Sequence, residues 1–321
     1  MNPKEMEWLK SVCSIYSAGE QIYQTLAGAI GDKPGTEAVV SPANLGDTVF
    51  IASLAKAYKA QYGINSLIMV AKERQAAAVE WMEGIDAVVG LTDEEIIALR
   101  YFFVISGKFY ENGVRYGHIP CYITPEYPDV FFHVEPGFGG KSLMRVWEED
   151  ILQIPAGSPI GDIVIPPGIS APAENAQKYA NAVLIAPAAF TNKGIPKSFW
   201  EKLTVRLKEK GYEVYNNSGG LYYDDIIDGT KEFLSSTTDL ILNAPLFKRV
   251  ISVRSGFTDL VCRTTAELTV LHLGGDIDAP LEVEYGSRFD DVRDFGRMEG
   301  IYPYVYVSER EDELIDLISN F

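Results

Sequence analysis

Between residues 37 and 103 the chain alternates short apolar runs with segments whose apolar positions recur every three or four residues. The runs at 37–42, 67–70 and 85–91 predict strands. Helical spacing predicts helices in the segment carrying Phe50, Leu54, Ala57, Tyr58 and Tyr62, at 73–82, and at 93–103. A helix after each strand predicts a parallel sheet covered by helices. Ahead of this alternation, Met6, Leu9, Val12, Ile15, Tyr16, Ile22, Leu26 and Ile30 fall close to helical spacing, which predicts an amphipathic helix over 4–28 that packs on the first domain.

Residues 108–140 interrupt the rhythm with Phe109, Tyr110, Tyr116, Tyr122, Tyr127, Phe131, Phe132 and Phe138 among glycines and prolines. They read either as loops facing a substrate or as a packed irregular insertion. A helix is predicted over 141–152, and 154–181, rich in Pro, Gly, Ala and Ser, reads as the passage between domains. The alternation then resumes with a strand at 182–186, a helix at 197–210 stopped by Gly211, and a strand at 212–215. A turn at 216–220 follows, then a helix at 240–248, strands at 250–253, 268–273 and 304–307, and a last helix at 309–318. The expected fold is α/β, with two Rossmann-like open parallel-sheet domains, 1–165 and 166–321. They would face a cleft at the carboxyl ends of their strands, with the last helix free to pack back.

Composition narrows the function. At 321 residues and 47% apolar content the chain can bury large cores, and a net charge of −17 repels phosphate backbones and anionic lipid surfaces. General nucleic-acid binding and stable membrane insertion are therefore not expected, while one local basic pocket remains compatible with the outer field. No run of about 18 apolar residues appears. Lys4, Glu5, Glu7, Lys10 and Glu20 interrupt the N-terminus where a signal peptide would be apolar, so a cytoplasmic address is expected. Cys13, Cys121 and Cys262 are odd in number and far apart, and read as reduced, mostly buried thiols. His118, His133 and His272 lack metal-ligand spacing, and Asp162 and the Asp224-Asp225 pair are isolated acids, so neither a metal nor a cofactor is expected.

Candidate chemistry lies at two strand-to-helix connections. The apolar run 250–253 ends in Arg254-Ser255-Gly256, after which Phe257-Thr258-Asp259-Leu260 opens a helix. Such a turn aims backbone N–H groups, here beside a guanidinium, at one point that suits a phosphate; the other reading is an ordinary connection with a solvated arginine. At Asn44-Leu45-Gly46-Asp47 the aspartate reads as a helix N-cap, worth ~1 kcal/mol, or as a general base at a strand end. Lys193 reads as a solvated loop lysine or a phosphate ligand. Glu267 reads as a helix-end charge or a ribose ligand.

These segments resemble the heptosyltransferase-type glycosyltransferases of family nine. Asn44-Leu45-Gly46-Asp47-Thr48-Val49-Phe50 is similar to that family's N-terminal glycine–aspartate segment. Ile185-Ala186-Pro187-Ala188 with Lys193-Gly194-Ile195-Pro196-Lys197-Ser198-Phe199-Trp200 is similar to its strand, donor-phosphate lysine and Pro-x-x-x-Trp helix start. The segment 251–260 looks like its strand followed by Asp-Ser/Thr-Gly-x-x-His-Leu, except that Arg254 replaces the Asp and Asp259 the His. The resemblance runs loosely from about residue 38 to 273. It implies a GT-B-like fold and transfer of a sugar from a nucleotide-diphosphate donor, with inversion and without metal, to a glycan or glycolipid acceptor in polysaccharide or lipopolysaccharide synthesis. Asp47 would be the base. Asn44, Gly46, Lys193, Arg254, Ser255, Gly256, Phe257, Thr258 and Asp259 would hold the substrates, with Arg254 paired to the diphosphate and Asp259 to a ribose or sugar hydroxyl. An epimerase on the same scaffold, and a nucleotide-sugar-binding protein without turnover, are the alternatives.

Overall fold

The computed structural model describes residues 3–31, 33–106, 121–124, 140–189, 194–217, 227–233, 235–296 and 298–321. Lys193, Asp224, Asp225, His118, His133 and nearly all of the aromatic segment 108–140 lie outside them. The chain divides into two compact units, Met1–Val164 and Ile165–Phe321.

The first unit runs α1 (Pro3–Ile30), β1 (Thr36–Val40), α2 (Leu45–Ser53), α3 (Ala55–Tyr62), β2 (Ser66–Lys72), α4 (Glu73–Val79), β3 (Ala87–Leu91), α5 (Asp93–Ile105), β4 (Cys121–Ile123) and α6 (Leu143–Arg145). Its strands form a parallel sheet in the order β3-β2-β1-β4, with Val39 level with Met69 and Tyr122. Every residue of β1 is buried, as a strand covered on both faces requires. On one face α1 and α5 pack Leu26, Ile30, Leu99, Phe102 and Phe103 against Val40, Val70 and Ile123. Gly19 lets the two helices touch, because a Cβ there would stand 2.0 Å from the Ala98 carbonyl oxygen.

Two helices of this unit depart from the expected pattern. The apolar stripe from Phe50 to Tyr62 is carried by two helices that meet at Leu54, whose N–H donates to both Phe50 and Ile51 carbonyls. The helix expected at 141–152 is mostly a wide turn of π type, Val146–Ile151, entered from α6. It buries Trp147 and Glu148, and the Glu148 carboxylate accepts the N–H groups of Gly157 and Ser158 at 3.0 Å each.

The second unit runs α7 (Ala173–Tyr179), β5 (Ala182–Ala186), α8 (Lys197–Glu209), β6 (Glu213–Asn216), β7 (Lys231–Glu232), α9 (Thr237–Asn243), β8 (Arg249–Val253), α10 (Gly256–Val261), β9 (Leu268–His272), β10 (Ile301–Val305) and α11 (Glu311–Ile318). Its sheet is parallel in the order β10-β9-β8-β5-β6-β7. Read in order of appearance, that is the doubly wound 3-2-1-4-5-6 arrangement, whose strand order reverses between β5 and β8. The region expected as pure passage contains α7. The helix expected at 240–248 starts earlier and stops at Asn243, where Pro245 enters a tight turn, Ala244–Leu246. The last helix, α11, packs on α8 within its own unit, burying Leu314, Ile315 and Ile318 with Phe199, Trp200 and Leu203.

Candidate functional site

In the first unit β1 ends at Val40, and residues 41–44 lead into α2. Asn44 is the N-cap, with extended backbone (φ −78°, ψ 174°) and no capping bond from its side chain. Its carbonyl accepts the Thr48 N–H at 3.0 Å. Asp47 therefore is neither the cap nor a strand-end residue. It sits in the first turn of α2, half-buried, where a carboxylate is favoured by the helix N-terminus. Gly46, beside it, is buried. Beneath this turn lies a buried polar set that sequence reasoning missed. Ser41 Oγ and Thr48 Oγ1 are 2.8 Å apart, Thr48 donates to Gln75 Oε1 at 3.1 Å, and Gln75 Nε2 donates to the Ala43 carbonyl at 3.3 Å.

In the second unit the chain leaves β8 at Val253, beside the reversal of strand order, and turns through Arg254 and Ser255 into α10. Ser255 N–H donates to Thr258 Oγ1 at 3.1 Å, and Thr258 in turn donates to the Ser255 carbonyl at 2.6 Å. Thr258 is fully buried, while Ser255, Gly256 and Phe257 are half-buried.

Arg254 and Asp259 are buried and paired with each other. Arg254 is 9% exposed, and its guanidinium lies 2.7 Å from the Asp259 carboxylate, itself 3% exposed. Arg254 also donates to the carbonyls of Asp290 at 2.9 Å and Ser255 at 3.1 Å, and to Thr258 Oγ1 at 3.3 Å. The physical reason is complementarity: Arg254 and Asp259, five residues apart across a turn, neutralise each other inside the unit. A buried charge without a partner costs far more than one left in water.

The charges extend one strand further. His272, the last residue of β9, is fully buried, and its Nδ1 is 3.5 Å from the Asp290 carboxylate. Arg288 Nε is 3.4 Å from the other oxygen of Asp290, and Arg288 donates to the Leu273 carbonyl at 3.2 Å. Burial pushes the Asp259 carboxyl up to about 6, against the pull of Arg254. Burial acts the same way on Asp290, but His272, Arg254 and Arg288 outweigh it and hold that carboxyl well below the usual range. Burial lowers the His272 pKa more than Asp290 restores it. The set ties Arg288 and Asp290 to the turn at 254–258. Glu267 lies away from it, accepting the Tyr302 hydroxyl at 2.9 Å.

Neither Asp290 nor Arg288 carries a sequence signal, since Arg254 reaches Asp290 across 36 residues of chain. Gln75 is equally silent, the last of three consecutive polar residues at the start of a short helix. No group of three His, Cys, Asp or Glu gathers as a metal site among the described residues, and no described helix is long and apolar enough to cross a membrane.

No protein-family model and no curated protein matches the chain. Solved structures do. The Escherichia coli heptosyltransferase WaaC with ADP aligns over 89% of this chain and 98% of its own, at TM-score 0.51 and 14% identity. The E. coli ADP-heptose lipopolysaccharide heptosyltransferase II aligns over 79% and 92%, at 0.50 and 12%. A family-nine glycosyltransferase from Veillonella parvula DSM 2008 aligns over 90% and 92%, at 0.52 and 11%. Along most of its length, this chain has the α/β fold of the heptosyltransferases.

Proposed function

We propose that this chain is a glycosyltransferase that moves a sugar from a nucleotide-diphosphate donor to an acceptor hydroxyl. The observation that carries the reading is coincidence of fold and position. The chain shares its fold with heptosyltransferases, and Asp47, in the first turn of the helix after the first strand, belongs to the segment that resembles their glycine–aspartate motif.

In this reading Asp47 takes the proton of the acceptor hydroxyl as that oxygen attacks the anomeric carbon, and the nucleotide diphosphate leaves from the opposite face, so configuration inverts. Asn44 and Gly46 line the acceptor side. The donor lies at the carboxyl ends of β5 and β8, the place where doubly wound sheets take ligands. Lys193 and the backbone at Ser255, Gly256 and Phe257 meet the charge that grows on the leaving phosphate, which stabilises the transition state more than the ground state. Arg254, Thr258 and Asp259 serve the donor by holding that turn in shape, their polar groups being engaged with one another and with Asp290. A lysine and oriented amides supply the positive charge that a divalent ion would otherwise provide, so the reading is metal-independent. The product belongs to cell-surface polysaccharide or lipopolysaccharide synthesis, at a cytoplasmic site of action.

The test is a panel of ADP-, UDP-, GDP- and CMP-sugars, scored by thermal shift and by nucleotide release with glycan and glycolipid acceptors. One donor should raise the melting temperature and release nucleotide only when acceptor is present, unaffected by EDTA. A donor-induced shift without release from any acceptor sinks the enzymatic reading. EDTA-sensitive release removes its metal independence.

A further inference from the structure

The first unit has a buried polar set whose members come from two different helices and the loop between β1 and α2. Ser41, Thr48 and Gln75 are 0%, 0% and 4% exposed. Four polar connections run through them. Ser41 N–H donates to the Val70 carbonyl at 2.8 Å, which pins the loop's start to β2. Ser41 Oγ meets Thr48 Oγ1 at 2.8 Å, Thr48 donates to Gln75 Oε1 at 3.1 Å, and Gln75 Nε2 donates to the Ala43 carbonyl at 3.3 Å. One side chain, from the helix after the second strand, therefore holds the loop after the first strand at Ala43 and the first turn of α2 at Thr48, one contact on each side of Asn44.

We infer that Gln75, acting through Thr48 and Ala43, is a positioning residue that sets the direction in which the Asp47 carboxylate points. The inference rests on the glycosyltransferase reading, which gives Asp47 its proton to move. Successive residues of a helix are about 100° apart around its axis, so fixing the azimuth of Thr48 fixes that of Asp47, its neighbour. Fixing the Ala43 carbonyl sets the entry of the chain into Asn44, whose carbonyl begins the helix by accepting the Thr48 N–H. A buried amide needs partners for its polar atoms, and here they are the Ala43 carbonyl of the loop and the Thr48 hydroxyl of α2, so the glutamine cannot let go without leaving polar groups unpaired. Asparagine is one methylene too short to span both contacts, and glutamate accepts from Thr48 but gives Ala43 no proton.

The assignment is tested on the full chain with the donor and acceptor that the panel above identifies. Gln75→Met keeps length without polarity, Thr48→Val keeps shape without the hydroxyl, and Thr48→Ser keeps the hydroxyl. Gln75→Met and Thr48→Val should lower kcat about 10- to 100-fold, the scale of a small misplacement of a catalytic group. The KM for the nucleotide sugar should stay within about twofold, because that ligand is taken by the other unit. Thr48→Ser should restore kcat to within about threefold of the wild type. Assays run well below each variant's melting temperature separate positioning from folding, and Gln75→Glu, which keeps the Thr48 contact, replaces Gln75→Met if that variant does not fold. Unchanged kcat in Thr48→Val, or an equal loss in Thr48→Ser, overturns the assignment while leaving the transferase reading standing. A wild-type chain that binds nucleotide sugars and transfers none overturns both.

Discussion

Replacing Arg254 with methionine decides whether that arginine is a structural keystone or a ligand waiting in solvent. Methionine keeps an apolar stem and removes the guanidinium, so Asp259 is left buried without its cation and the carbonyls of Ser255 and Asp290 each lose a charged donor. Removing one member of a buried ion pair costs about 3–5 kcal/mol. For a unit of roughly 150 residues each kcal/mol moves the melting temperature by about 2–4 °C, so the second unit should melt about 10 °C lower. The assay is differential scanning calorimetry of the full chain, in which the second unit's transition is the one that moves.

The pH dependence has a definite sign. In the folded protein the Asp259 carboxyl titrates at about 6, above its ordinary value of 3.8. The folded state thus binds this proton more tightly than the unfolded chain, and the stabilisation is present at acid pH and lost as pH rises through 6. Without Arg254 the carboxyl titrates higher still, so the variant's deficit should widen between about pH 5.5 and about pH 8. Arg254→Met with Asp259→Leu should recover most of the loss, since an apolar pair of similar volume replaces a buried ion pair at little cost. A deficit under about 1 kcal/mol, or one that does not change with pH, refutes the keystone role and returns Arg254 to the donor phosphates.

Asp47→Asn should lower transfer by about 10²- to 10⁴-fold, with the donor-induced thermal shift intact, as judged by nucleotide release beside melting curves; loss of the shift itself would place Asp47 in donor binding. Lys193→Ala should weaken donor affinity about tenfold to a hundredfold by calorimetric titration, the worth of one charge-assisted contact, and an unchanged affinity removes the lysine from the phosphates. Gly19→Val should cost about 1–3 kcal/mol in urea unfolding followed by circular dichroism, because its Cβ would stand 2.0 Å from the Ala98 carbonyl oxygen and must drive α1 off α5; a neutral result contradicts the close approach.

The pattern of apolar positions determined the class of each half. Residues 182–186 are a continuous apolar run because β5 is covered on both faces, and 93–103 has helical period because α5 buries one stripe against the sheet and α1. The helix starts after Asn44 and Ser255 were also legible from local order, although Asp47 lies in the first turn of its helix rather than at the cap or the strand end. What local order does not contain is the partner of a charge. Arg254 reads as a solvated cation or a phosphate ligand until the fold brings Asp259, Asp290 and His272 around it, and then the cost of an unpaired charge in the interior directs it inward. The grip of Gln75 on Ala43 and Thr48 belongs to the same level. Hydrogen bonds that join separate βα units exist only once the strands have paired, so periodicity set the sheets while tertiary contact chose which polar groups are spent inside them.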